Sequence, residues 1–130
     1  MVCGQTVLGI SQASNSSNAF SSYSCQTFSS DNYSNSYEVT YIFEADFNGS
    51  FTVDGQDDGA MDITVLKDDG EGCIDTGANC IDNSSSNVTV PVADGDVFYL
   101  IWDSYSAVSQ SPFNMSIECC IADCTGKSCG

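Results

Sequence analysis

The chain has 130 residues, 18 acidic against two basic side chains (Lys67 and Lys127) for a net charge of −16, 8 cysteines and no histidine. This length fits one domain, and the charge excludes nucleic-acid phosphates and anionic membrane surfaces as partners. No run of ~18 apolar residues is present, so membrane insertion through a helix is not expected.

The even, high cysteine count in a loop-rich chain predicts disulfides and a secreted or extracellular, cell-surface setting. The opening MVCGQTVLGI lacks the basic start and long apolar stretch of a signal peptide. A secreted chain without one is expected to be a piece of a larger precursor.

Residues 11–36 are rich in Ser and Asn and read as long surface loops flanking a short strand from Tyr23 to Thr27. Period-two runs follow, the pattern of half-buried strands. In SYEVTYIFEAD, Tyr37, Val39, Tyr41 and Phe43 share a face. Phe51 and Val53 do so in GSFTVDG, and Met61, Ile63 and Val65 in MDITVLK, with Asp62 and Thr64 opposite.

Beyond the cysteine loop GCIDTGANCID, NVTVPVADG presents Val88, Val90 and Val92. VFYLIWD is apolar on both sides and predicts a central strand covered on both faces. FNMSIEC presents Phe113, Met115 and Ile117. Asn48-Gly49, Asp54-Gly55, Asp58-Gly59, Asp69-Gly70 and Asp94-Gly95 mark turns between these runs. No stretch shows a 3.6-residue apolar period. The expectation is an all-β, antiparallel β-sandwich stapled by disulfides, with little or no helix, spanning residues 1–119, and a cysteine-rich tail or linker over 120–130.

Catalysis lacks an obvious base. A Ser-His-Asp or Cys-His arrangement needs an imidazole, and neither lysine lies in the apolar setting that lowers an amine pKa. The chain therefore does not read as an enzyme. Cys73 and Cys80 have neither histidine partners nor a second matching pair, which disfavours zinc.

Asp57, Asp58 and Asp62 are the candidate ligands for Ca²⁺, the one cofactor considered. They lack the complete alternating loop of a calcium hand, and Asp-rich turns that cap backbone N–H groups are the simpler reading. Trp102, Asp103 and Tyr105 could stack on and bind a sugar of a polysaccharide; a lone Trp more often packs in a core or at its rim.

Several stretches together resemble the bacterial pre-peptidase C-terminal domain, in the cysteine-bearing form found on secreted deltaproteobacterial proteins. They are CGQTVLG, Tyr23-x-Cys25, SYEVTYIF, SFTVDG, MDITVL, the Cys73–Cys80 loop, NVTVPVADGDVFYLIWDSY and FNMSIEC, which together cover residues 3–119. Asp62 matches the second of the family's paired aspartates, while Ala60 stands where the first would be, which weakens a calcium role taken from the family. The resemblance implies a non-catalytic sandwich appended to exported enzymes or surface proteins, assisting secretion, targeting or substrate attachment.

Cys73 and Cys80 are near neighbours and are expected to close their loop, a closure worth roughly 2.5 kcal/mol in chain entropy. Cys124 and Cys129 could close a second small loop. Cys119 and Cys120, pointing opposite ways along a strand, would then take Cys3 and Cys25 in either order.

The expected function is a non-catalytic secreted accessory or attachment module. The alternatives are a structural subunit of a filament or adhesin, and a carbohydrate- or calcium-dependent binding module. Expected partners are other domains of the same precursor or copies of this chain.

Overall fold

The computed structural model describes residues 1–10, 20–26, 33, 38–56, 61–104 and 113–122. They form eight strands and no helix: β1 (Thr6–Ile10), β2 (Val39–Glu44), β3 (Gly49–Gln56), β4 (Met61–Lys67), β5 (Cys80–Ser84), β6 (Asn87–Val92), β7 (Val97–Ser104) and β8 (Phe113–Ile121). Two four-stranded sheets pack as a sandwich, the first ordered β1-β8-β3-β6 and the second β2-β7-β4-β5. Every neighbouring pair is antiparallel.

The period-two pattern explains the core. Phe51 and Val53 from β3, Val88, Val90 and Val92 from β6, and Met115 and Ile117 from β8 line the inner side of the first sheet. Phe43, Met61, Ile63, Val65, Phe98, Leu100 and Trp102 meet them from the second. The Phe51 ring lies 4.7 Å from that of Phe43 and 5.2 Å from that of Phe98, so aromatic contacts tie the sheets together at mid-height. As expected, β7 is a central strand; it lies between β2 and β4.

Asp54-Gly55 is not a turn. Gly55 lies inside β3, and a Cβ there would stand 1.6 Å from the Trp102 ring, so the glycine makes room for the indole. Gly95 does occupy a turn and Gly70 a bend, at φ of 89° and 97°, the positive values that their Asp-Gly signals predict. The Asp58-Gly59 signal lies outside the described residues.

The strands differ from expectation in other places. The short strand sought at Tyr23 to Thr27 is absent from its described part, where the Gln26 amide donates to the Tyr23 carbonyl at 3.2 Å in a turn. Strands β1 and β5 carry no clean alternation and are recognised by their pairing. The last strand, β8, runs to Ile121, past the boundary expected at 119.

The cysteine pairing also differs. Cys80 is bonded to Cys25 and Cys73 is a free thiol, so the expected Cys73–Cys80 staple does not form. The register explains this. Cys80 sits opposite Leu66, on the face of the second sheet that turns away from the core, where the segment carrying Cys25 lies. Cys3 pairs with Cys119, one of the two arrangements open to it. Cys120 is disulfide-bonded as well, and with Cys25 committed to Cys80 its partner is not an N-terminal cysteine. The expected Cys124–Cys129 closure falls outside the described residues.

Candidate functional site

The polar chemistry of the molecule collects on the outer face of the second sheet. In β4, Asp62, Thr64 and Leu66 alternate with the core-facing Met61, Ile63 and Val65, yet all six are buried. In β7, Tyr99, Ile101 and Asp103 take the same outer side. Part of the Ser/Asn-rich segment covers this face. Tyr23 and Tyr33 pack on Leu66 and Ile101 as a second apolar cluster, flanked by Phe20, Cys73, Cys80 and Tyr99. The Tyr23 and Tyr33 rings meet edge-on at 5.1 Å.

The register sets Asp62 directly opposite Asp103, a position that brings cross-strand Cβ atoms to about 5 Å. Both side chains are buried, at 4% and 0% exposure. Each accepts from a tyrosine: Tyr33 Oη donates to Asp62 Oδ2 at 2.5 Å and Tyr23 Oη donates to Asp103 Oδ2 at 2.8 Å.

Asn83 on β5 extends the network by donating to Thr64 Oγ1 at 2.8 Å and to Tyr33 Oη at 3.4 Å. Buried Glu38 accepts from the Phe20 amide. Burial, reinforced by the Asp103 carboxylate, pushes the Tyr23 phenol far above its ordinary range, so it stays a donor at any physiological pH.

The covering segment is also held at its margin. Asp75 accepts from the Ser24 amide at 2.6 Å and from the Ser24 hydroxyl at 2.7 Å, beside the Cys25–Cys80 bond. Partial burial works to raise the Asp75 carboxyl, but the hydrogen bonds from Ser24 and Gly77 outweigh it and hold the group below its ordinary value. Burial and nearby Glu38 push the Cys73 thiol up, away from the thiolate that redox chemistry requires.

The sequence-derived candidates are therefore redistributed. Trp102 and Asp103 do not share a binding surface. Adjacent residues of a strand face opposite ways, and Trp102 enters the core, where its indole N–H points at Met115 Sδ. Tyr105, Asp57 and Asp58 lie outside the described residues. Asp62 instead joins Asp103, a partner from the other candidate group.

The described residues do not assemble an oxygen shell suited to calcium. Both carboxylates already accept from tyrosines, and among these residues no three acidic, Cys or His side chains converge on one point. Tyr33, Asn83 and Glu38 were not candidates in the sequence, and Tyr23 entered only as part of a strand and of the Tyr23-x-Cys25 motif, not as a site residue. The available signal was the isolated aromatics within an otherwise polar Ser/Asn stretch, which mark where a loop is anchored.

Comparison with family models, with curated proteins and with solved structures returned no match.

Proposed function

We propose that this chain is a non-catalytic accessory or attachment module of a secreted or cell-surface protein. The observation that carries this reading is the corner where the sandwich begins and ends. Strand β1 runs antiparallel to β8, and Cys3 and Cys119 are bonded there with Cα atoms 5.5 Å apart.

A chain that enters and leaves a domain at one covalently closed corner can be joined to neighbours without disturbing the fold. Tension between those neighbours passes through the disulfide instead of unzipping the sheets. The oxidised cysteines support an extracytoplasmic setting. The resemblance to pre-peptidase C-terminal domains supports the same reading. The buried Asp, Tyr and Asn cluster then serves to hold the covering segment in place.

The test is to join the chain to a secreted reporter enzyme. Reporter turnover should stay unchanged while export yield or retention at the cell surface rises several-fold. Identical export and retention with and without the module would overturn the proposal. The covalent corner also favours a second reading, a structural subunit of an extracellular filament or adhesin. Analytical ultracentrifugation separates the two, since a subunit polymerises with rising concentration and an appended module remains a monomer.

A further inference from the structure

Among the described residues the two sheets leave four edge strands, β1, β6, β2 and β5. An exposed edge offers unpaired backbone groups to any passing strand, and proteins usually blunt it with a bulge, a proline or a short irregular strand. Three of the four edges are blunted in this way. The register of β1 against β8 shifts between Val7 and Ile10. Strand β6 carries Pro91, which has no N–H. Strand β5 is five residues long, and its pairing with β4 is interrupted between Val65 and Leu66.

Strand β2 differs. It pairs with β7 through six consecutive rungs from Val39 to Glu44 without a break, and it contains no proline or lysine. At its centre Ile42 is 56% exposed. Along an antiparallel edge, alternate residues turn both backbone groups away from the sheet. The Met1 nitrogen donates to the Ile42 carbonyl from that free side, so the outward residues are Thr40, Ile42 and Glu44. The Ile42 carbonyl is thus already used as an acceptor for a donor arriving from outside the sheet.

Beside this edge lies a cleft of about 550 Å³ lined by Met1, Val2, Cys3, Ile42, Phe43, Glu44 and Asp46.

We infer that the free edge of β2 is a docking strand for an extended, basic polypeptide segment of a partner protein. The segment adds to the second sheet by β-augmentation. Its backbone pairs with Thr40, Ile42 and Glu44, taking over the bond now made by the Met1 nitrogen. Inward side chains of the segment enter the cleft. On the outer face an apolar residue meets Ile42, and a lysine or arginine two positions away meets Glu44, with Asp46 adding to the attraction.

Charge selects this occupant over a second copy. Each copy carries a net charge of −16, and Lys67, one of two basic side chains, is already paired with Asp96 at 2.8 Å. A basic segment is drawn to such a surface, whereas two copies repel. The inference deepens the attachment reading by naming the chemistry of the partner.

The experiment is amide hydrogen exchange on the intact oxidised chain. The probe is a short blocked peptide alternating threonine and valine, with one lysine two residues from its central valine. The expected result is slowed exchange at Thr40, Ile42 and Glu44, lost when the peptide backbone is N-methylated. Ile42→Lys, at an exposed position, should weaken binding by about tenfold or more. Glu44→Gln should lessen the salt dependence of binding.

The inference is overturned by protection confined to another edge or absent altogether. It is equally overturned by equal binding of a peptide with glutamate in place of lysine, or by concentration-dependent protection of the same amides without peptide, which would identify a second copy as the occupant. The reporter experiment reads export and retention and does not depend on this peptide, so the two readings fail separately.

Discussion

The two faces of the second sheet are built from the same strands by different means. Toward the core, β4 and β7 present Met61, Ile63, Val65, Phe98, Leu100 and Trp102, closed by a sheet whose own side chains complete the packing. Away from the core, the same strands present Asp62, Thr64, Leu66, Tyr99, Ile101 and Asp103, closed by an irregular segment. The inner face is held by burial of apolar area, which is not directional. The outer face has only a few aromatic anchors from the described covering residues, Phe20, Tyr23 and Tyr33, and depends on hydrogen bonds and the Cys25–Cys80 bond to fix the covering chain. A loop with little apolar content can cover a sheet when specific bonds supply what burial does not.

This contrast can be broken most sharply from the inside. Trp102→Ala removes the largest fully buried side chain and should cost about 3–5 kcal/mol. Urea unfolding should show one cooperative transition at a lower midpoint, because both sheets share that core. A variant with an unchanged midpoint would show that the indole does not support the sandwich.

The covalent tie of the outer layer comes next. Cys25→Ser with Cys80→Ser opens a link between residues 55 apart in sequence, worth about 4 kcal/mol at most on the chain-entropy model. Both cysteines are replaced because Cys25→Ser alone leaves Cys80 beside the free thiol of Cys73 in the same cluster. The expected signature is local: faster amide exchange across residues 20–26 and along β5, while β3 and β8 remain protected. Uniform loss of protection would mean that the outer layer and the core form a single cooperative unit.

Tyr23→Phe is the smallest change. It removes the donor to the buried Asp103 carboxylate and should cost about 1–3 kcal/mol. It also tests a pH effect. The folded-state pKa of Tyr23 lies above its ordinary value of 10.0, so the stability it contributes is fully present below about pH 10. Above that pH the unfolded chain loses the phenolic proton while the folded chain keeps it, and stability falls. Unfolding measured from pH 8 to 11 should show this decline weakened in Tyr23→Phe. An identical decline in both proteins would assign it to other groups.

Much of the inner architecture was legible in the sequence. The alternation in β2, β3, β4, β6 and β8 identified the core-facing residues, because a strand's side-chain period does not depend on its partners. The doubly apolar run of β7 likewise announced a central strand. The outer site was not legible in the same way. Asp62 and Asp103 fell into separate candidate groups, since their meeting depends on the β4–β7 register. Asp54-Gly55 had the residues of a turn, and only the Trp102 ring across the core shows why a glycine stands within the strand.

By itself the sequence determined the all-β class, the inward-facing side chains and the acidic character, because these follow from local periodicity and composition. Tertiary structure decided what non-local distances control. It paired Cys80 with Cys25 although Cys73 is far nearer along the chain, set Asp62 opposite Asp103, and placed Trp102 and Asp103 on opposite faces. It also left β2 as the one regular free edge among the described strands. Register and sheet order arise when distant segments meet, so no reading of neighbouring residues contains them.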